Sequence, residues 1–285
     1  MAGMVELKSR IKSVESTQKI TKSMKLVATS KLHQCQGQLR NFSPYADNCA
    51  RALSMVLGGS GAACPLLERR EGAGKVCSVL FVGNRGLCGS YNQDIVRFLQ
   101  SSERKGAPGS FTVVCGRWGA ELQRDPRLNV RRCFTELGDV PSVEESDVIA
   151  EYLIGLFLDG EADEVRLFFQ RHSGLGQRPE MELLLPASGD SSDSGGDCIF
   201  EPDRETLLNT LSRMYVSAGV RRALLEARVS EHFARMTAMT SATDNADELL
   251  RELTLTLNRT RQAKITTEIS EVVGGAKALD GKDGQ

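Results

Sequence analysis

Histidine, paired cysteines, long apolar runs and net charge are all scarce in this 285-residue chain, and each scarcity removes a class of function. The three histidines, His33, His172 and His232, lie far apart, so the sequence assembles no metal constellation. The eight cysteines fall at 35, 49, 64, 77, 88, 115, 133 and 198, with no C-x-x-C pair and no histidine at ligand spacing. That argues against zinc and against a disulfide framework, and it suits a reducing compartment. Apolar runs stop well short of the roughly 18 residues that span a bilayer; the best is "YLIGLFL" at 152–158. Lys and Arg number 36 against 37 Asp and Glu, which leaves no bulk charge to draw the chain onto nucleic acid or a membrane. Neither a nucleic-acid partner nor a membrane span is expected.

The charge is not evenly spread. Residues 1–40 carry eight basic side chains, from Lys8 to Arg40, and only Glu6 and Glu15 against them. A basic helix is either a solvated face or a surface for an acidic partner. The chain enters this helix directly, so no separate secretory signal is read. A basic amphipathic start is compatible with an uncleaved organelle address.

Proline and glycine are also missing where they would interrupt a helix. After Pro202 there is no proline, and Gly219 is the only glycine before Gly274. Apolar or small residues hold a heptad register through Leu208, Leu211, Tyr215, Ala218, Leu225 and Val229. It resumes at Met236, Met239, Thr243, Ala246, Leu250, Leu253 and Leu257. Arg222 and His232 are polar interruptions. A helix over 203–277 would be roughly 110 Å long. At the other end, Ala28, Leu32, Cys35, Leu39, Phe42, Ala46, Cys49, Leu53 and Val56 step in the same rhythm. They predict a helix over 3–57, bent at Pro44 and ended by "GGSG".

Between these helices the texture changes. "KVCSVLFVG" (75–83), "FTVVCG" (111–116), "DEVRLFFQ" (163–170) and "EMELLLP" (180–186) read as strands, alternating with helical stretches at 92–104, 117–124 and 142–159. The expected fold is an α/β insert plus a long antiparallel coiled coil formed by the N- and C-terminal helices. Its segments are 1–58, a Rossmann-like domain over 59–202 with a flexible Asp/Ser/Gly loop at 188–197, and 203–285. If the helix ends lie level beside the insert, residue i faces about 260 − i. From Asn258 the second helix then has no partner in its own chain, and "NRTRQAKITTEISEVVGGAKAL" (258–279) lacks a clean apolar stripe.

A sheet flanked by helices invites a nucleotide-binding reading, and the motifs do not support it. Glycines at 83, 86 and 89 give G-x-x-G-x-x-G where a dinucleotide turn needs G-x-G-x-x-G. "GAGKV" (72–76) has Arg69 where a phosphate loop opens on glycine and Val76 in place of the hydroxyl. No Ser/His/Asp set or carboxylate pair stands out, so no catalytic, cofactor or metal residues are assigned.

Three stretches together resemble the gamma subunit of the F-type ATP synthase, the rotating central stalk. They are "SRIKSVESTQKITKSMKLVATSKL" (9–32), "RGLCGSYN" (85–92) and "ARMTAMTSATDNADELLRELTLTLNRTRQAKITTEISEVVGGAKAL" (234–279). Order, spacing and length match as well, most loosely through 95–200. The resemblance implies a non-catalytic axle, without cofactor, that couples proton-driven rotation of a membrane ring to ATP synthesis. Its implied partners are a ring of three alpha and three beta subunits, delta/epsilon-type small stalk subunits, and the membrane c-ring through the α/β foot.

By the same resemblance, Arg261 and Gln262 correspond to contacts with a loop of a catalytic subunit, and Met24 and Arg235 to the level of an acidic torque lever. Arg85, Gly86, Leu87, Cys88 and Gly89 form a turn toward the lower rim. Ala263, Thr266, Thr267, Gly274, Gly275 and Ala276 belong to a tip inside a sleeve. Two departures stand out: Gly83-Asn84 replaces the usual Ser-Asp before the turn, and Leu257 replaces a common tyrosine. The cysteine-bearing insert of the light-regulated plastid version is not evident, which speaks against thiol regulation. The implied location is the matrix side of the mitochondrial inner membrane, with the cytoplasmic face of a bacterial membrane as the alternative. Two other functions remain open on the residues alone: a coiled-coil adaptor with an α/β partner-binding head, and a nucleotide-dependent enzyme.

Overall fold

In the computed structural model, Ala2–Leu57 form α1 and Arg204–Asp280 form α5, each an unbroken α-helix, with Pro44 inside α1. Residues 2–57, 64–70, 74–102, 109–174, 176–187 and 200–280 are described, with side-chain surroundings from Met4 to Val273. The loop at 188–197 and the side chains of Gly274, Gly275 and Ala276 lie outside them. The chain divides into two compact units, residues 1–26 with 237–285 and residues 27–236, so the division cuts both long helices away from their ends.

The larger unit is built on a mixed sheet of β1 (Val76–Phe81), β2 (Phe111–Cys115), β3 (Val130–Phe134), β4 (Glu164–Ser173) and β5 (Gly176–Leu185). Their spatial order is β3-β2-β1-β4-β5; all neighbours are parallel except β4 and β5, which pair antiparallel. Beside the sheet lie α2 (Tyr91–Ser102), the short α3 (Gly119–Leu122) and α4 (Val143–Leu158). β1 is buried on both faces, which is why it reads as a continuous apolar run. Alternate residues serve different cores. Val79, Phe81, Val113, Cys115, Leu167 and Phe169 pack with Leu53 and Val56 of α1, with α4, and with Leu208 to Ala227 of α5. Leu80, Val82, Val114 and Phe168 pack with Ile95 and Leu99 of α2 and with Leu122. Each such side chain contributes roughly 1.5–3 kcal/mol by leaving water.

Four of the five strands match the expected ones; β3 does not. It is an edge strand, Val130-Arg-Arg-Cys-Phe134, with exposed arginines at its centre. Arg132 instead stacks on Phe134 and Tyr152, its guanidinium carbon 4.7 and 4.3 Å from the ring centres. Helix α4 begins at a capping box: Ser142 Oγ accepts from the Glu145 amide at 3.2 Å, and Glu145 Oε2 accepts from the Ser142 amide at 2.8 Å. The other carboxylate oxygen of Glu145 accepts from the Gly138 amide at 2.8 Å, tying down the segment between β3 and α4.

In the smaller unit the two helices run antiparallel. Thr21 and Thr243 share a hydroxyl hydrogen bond of 2.9 Å, and Gln18 donates to Asp247. Residue i therefore faces about 264 − i, roughly one helical turn away from the expected 260 − i. The expected register assumed that the helix ends lie level; nothing in the heptads themselves fixes that offset.

Candidate functional site

β1 ends at Phe81, and the chain then makes the turn 83–90 before entering α2. In the order β3-β2-β1-β4-β5, the carboxyl end of β1 is where successive connections leave in opposite directions, the place where open α/β sheets take their ligands. Here that place is filled by the chain's own helix α5. Arg228, Glu231, His232 and Arg235 project from it and are all buried. Spacings of three and four residues put them on one face.

Glu231 is the centre of this cluster. Arg228 Nη1 lies 2.6 Å from its Oε2 and Arg235 Nη2 2.7 Å from its Oε1. Burial pushes the carboxyl up, but the two guanidiniums outweigh burial and hold it below its usual range. The Asn84 amide also donates to Glu231 Oε1, at 3.1 Å. Arg228 Nη1 reaches Val82 O at 3.4 Å, and Arg235 donates to Arg85 O at 3.0 Å and to Gly86 O at 3.4 Å. The turn thus hangs by its backbone from three buried charges.

Asn84, the departure noted above, closes the arrangement. Its side-chain oxygen accepts from Arg228 Nη2 at 2.9 Å and from the Arg117 amide at 3.2 Å. Its side-chain amide donates to Leu137 O at 2.6 Å and Gly138 O at 3.4 Å. A carboxylate accepts only, so the last two bonds need the amide. The neighbouring Gly83 donates its amide to Asn92 Oδ1 at 2.8 Å. Gly116 passes so close to β1 that an added Cβ would lie 2.2 Å from Val82 O, at a φ of +135° that already favours glycine.

What the turn presents is uneven. Cys88 is buried, and burial raises its thiol above the ordinary range. Leu87 is 61 % exposed and adopts φ of 61°, the one non-glycine residue with positive φ among those described. Beside it, Arg85 is exposed and pairs loosely with Asp139 at 3.5 Å. A large apolar side chain held out in water in a left-handed conformation is strained, and the buried cluster holds it there.

The second region is the end of α5 in the smaller unit. Every residue from Asn258 to Val273 is exposed. Lys264 and Glu268 pair at 3.3 Å. Thr260, Thr266, Thr267 and Ser270 each turn their hydroxyl onto the carbonyl four residues back, at 2.8 to 3.0 Å. Their donors are thereby spent on the helix itself. The expectation of no apolar stripe is corrected here: Ile265, Ile269 and Val272 are exposed and share one helix face, with Arg261 and Gln262 at its near end. The polar residues 258–264 mask that stripe in the sequence.

Of the residues singled out from sequence, the structure brings Arg235 and the turn 85–89 together in the larger unit. Arg261, Gln262, Ala263 and Thr266 lie exposed in the smaller one, where Met24 is half-buried on α1. Asn84 was marked only as a departure from the family pattern; Arg228 and Glu231 were missed. The sequence carried only a partial signal: charges at a three-residue spacing beside His232, already marked as an interruption. Among the described residues no group of potential ligands forms a metal site, and no helix is long and apolar enough to cross a membrane.

A family model described as ATP synthase matches residues 3–279. The ATP synthase gamma chain of Exiguobacterium sp. is 39% identical over 287 residues, covering 98% of this chain and 100% of that one. Those of Desulfitobacterium hafniense and Heliobacterium modesticaldum are 41% and 42% identical, with the same coverage. Among solved structures, a chain of the Euglena gracilis mitochondrial ATP synthase (OSCP/F1/c-ring, rotational state 3) superposes with a TM-score of 0.72 at 20% identity. It covers 100% of this chain and 97% of that one. At that identity it speaks for the fold alone. The sequence relatives are bacterial, so the mitochondrial location expected above finds no support among them. With a family model matched almost end to end and relatives at about 40% identity over their full length, the chain belongs to the ATP synthase gamma-chain family.

Proposed function

We propose that the chain is the non-catalytic axle of a bacterial F-type ATP synthase, transmitting rotation between a proton-driven membrane ring and the catalytic subunits. The observation that carries this reading is the end of α5. Residues 258–273 stay helical although all of them are exposed, and isolated helices of that length are marginal in water. They carry an apolar face and hydroxyls already satisfied by their own backbone, as a segment enclosed by other chains would. Three alpha and three beta subunits form the enclosing ring, with Arg261 and Gln262 meeting a loop of a catalytic subunit and Met24 lying at the level of the torque lever. Arg235 is the second residue assigned to the lever. Arg85 and Leu87 then face the lower rim.

In this reading the α/β domain is the foot, gripped by delta/epsilon-type small subunits and seated on the c-ring at the cytoplasmic face of the cytoplasmic membrane. Ala263, Thr266, Gly274, Gly275 and Ala276 lie in the sleeve. Rotation biases each catalytic site in turn because the axle is asymmetric. The test is native mass spectrometry and proton pumping of the complex, with and without residues from Asn258 onward. One copy in a ring of three plus three subunits, with ATP-driven pumping falling on deletion, supports the axle. A free monomer or homodimer indifferent to the deletion favours an adaptor instead.

A further inference from the structure

His232 stands where everything that holds the turn converges. Its Nε2 lies 2.9 Å from the Asp139 carbonyl and its Nδ1 3.3 Å from Arg235 Nη1. A carbonyl only accepts and a guanidinium only donates, so the two contacts fix the ring. Nε2 carries the hydrogen and donates to Asp139; Nδ1 is bare and accepts from Arg235. That is the neutral imidazole. A second proton has to go to Nδ1, the nitrogen that faces the guanidinium, and turns an attractive contact into one between two cations. The same guanidinium holds the backbone of the turn at Arg85 and Gly86.

The surroundings leave little to balance that added charge. On its own helix, Glu231 is already shared between Arg228 and Arg235. From the segment after β3, the Asp139 carboxylate is drawn toward Arg85 of the turn. From α1, Cys35 donates its thiol to the same Asp139 carbonyl at 3.5 Å, and burial pushes that thiol up to about 11, so it is neutral. Lys31 adds a further positive charge on that side. From the turn, Asn84 presents an amide to Arg228 where a carboxylate would have neutralised it. Two arginines thus face one buried glutamate before His232 gains a proton.

We propose that His232 is a proton-sensitive latch on the turn 84–89: neutral, it keeps Arg235 against the turn; protonated, it drives the guanidinium away and frees the turn's backbone. Burial, the largest influence, and Arg235 hold the imidazole below its ordinary range, against the opposing pull of the Asp139 carbonyl and Glu231. Because the folded value lies below the unfolded one, the latch is intact above the unfolded value and weakens as pH falls through it toward the folded value. The latch concerns the turn alone and stands whether or not the turn meets a partner subunit.

Cys88 reports on it, since it sits in the turn and is 3% exposed. The experiment labels the full chain with a dithiodipyridine reagent, which stays reactive in acid, and maps the modified cysteines by peptide mass. Between about pH 7.5 and 5.5, labelling of Cys88 relative to Cys77 of β1 should rise about tenfold in the natural chain, because the protonated fraction of the imidazole grows with acidity. In His232→Gln, whose amide can donate to Asp139 and accept from Arg235 without titrating, the ratio should stay flat. Equal slopes in the two chains overturn the latch. A second measurement needs no variant: deuterium exchange at the imidazole C2 gives the titration midpoint of His232 directly. A midpoint below that of an ordinary histidine supports the proposal, and one at or above it overturns the proposal.

Discussion

The turn after β1 and the end of α5 are opposites in the use of polar groups. The turn is held by two buried guanidiniums, one buried carboxylate and one half-buried amide, each joined to a named partner within 3.4 Å. At the end of α5, the described hydroxyls bond their own helix, and the apolar side chains face water. The first region fixes a conformation. The second leaves a surface uncommitted. A buried charge that loses its partner is costly, whereas an exposed helix tolerates almost any single change.

The sharpest way to break the contrast is Glu231→Ala. It leaves two buried guanidiniums without their anion and should destabilise the chain by about 3–5 kcal/mol. Chemical denaturation measures this; a loss below about 1 kcal/mol would show that water reaches the cluster and that the turn is not clamped. Next in size is Asn84→Asp. It gains a charge partner for Arg228 but forfeits the donors to Leu137 and Gly138, leaving two carbonyls unsatisfied. A net loss of about 1–2 kcal/mol is expected by the same measurement. Leu87→Gly has the opposite sign: relief of the positive φ should stabilise by up to about 1 kcal/mol. If Leu87 meets the rim, that variant should also pump protons less efficiently, a combination that separates a contact residue from a structural one. Smallest is the pair Arg261→Ala and Gln262→Ala. Stability should move by less than about 0.5 kcal/mol because both side chains are exposed, so any loss of ATP-driven rotation in single-molecule assays must come from a partner.

Much of this contrast can be seen in the residues, but unequally. The heptads of α1 and α5 were legible because one apolar face repeated in phase through Gly37 and Pro44 in the first helix and Gly219 in the second. β1, β2 and β4 were legible as apolar runs, and β5 by the apolar end of its strand, "ELLL". β3 was not, because Arg131 and Arg132 occupy its centre and an edge strand has only one neighbour to bury it. The offset between the long helices escaped as well: heptads give the spacing along a seam but not the register across it. Arg228 and Glu231, and the burial of Arg235 with them, escaped for a different reason. Arg228, Glu231 and Arg235 look like the solvated face of a helix until the turn after β1 is placed against them, and only the tertiary fold does that.

The filling of the sheet's crevice by α5 changes what kind of equilibrium governs it. A doubly wound sheet ordinarily waits for a molecule that diffuses in and out, so occupancy depends on concentration. Here the occupant is tethered, and the effective concentration of Arg228 and Glu231 at the end of β1 is set by covalent connection rather than by supply. The site is saturated for as long as the larger unit stays folded. Emptying it therefore requires breaking the unit's own packing rather than diluting anything. What would have been a binding equilibrium has become part of the folding equilibrium.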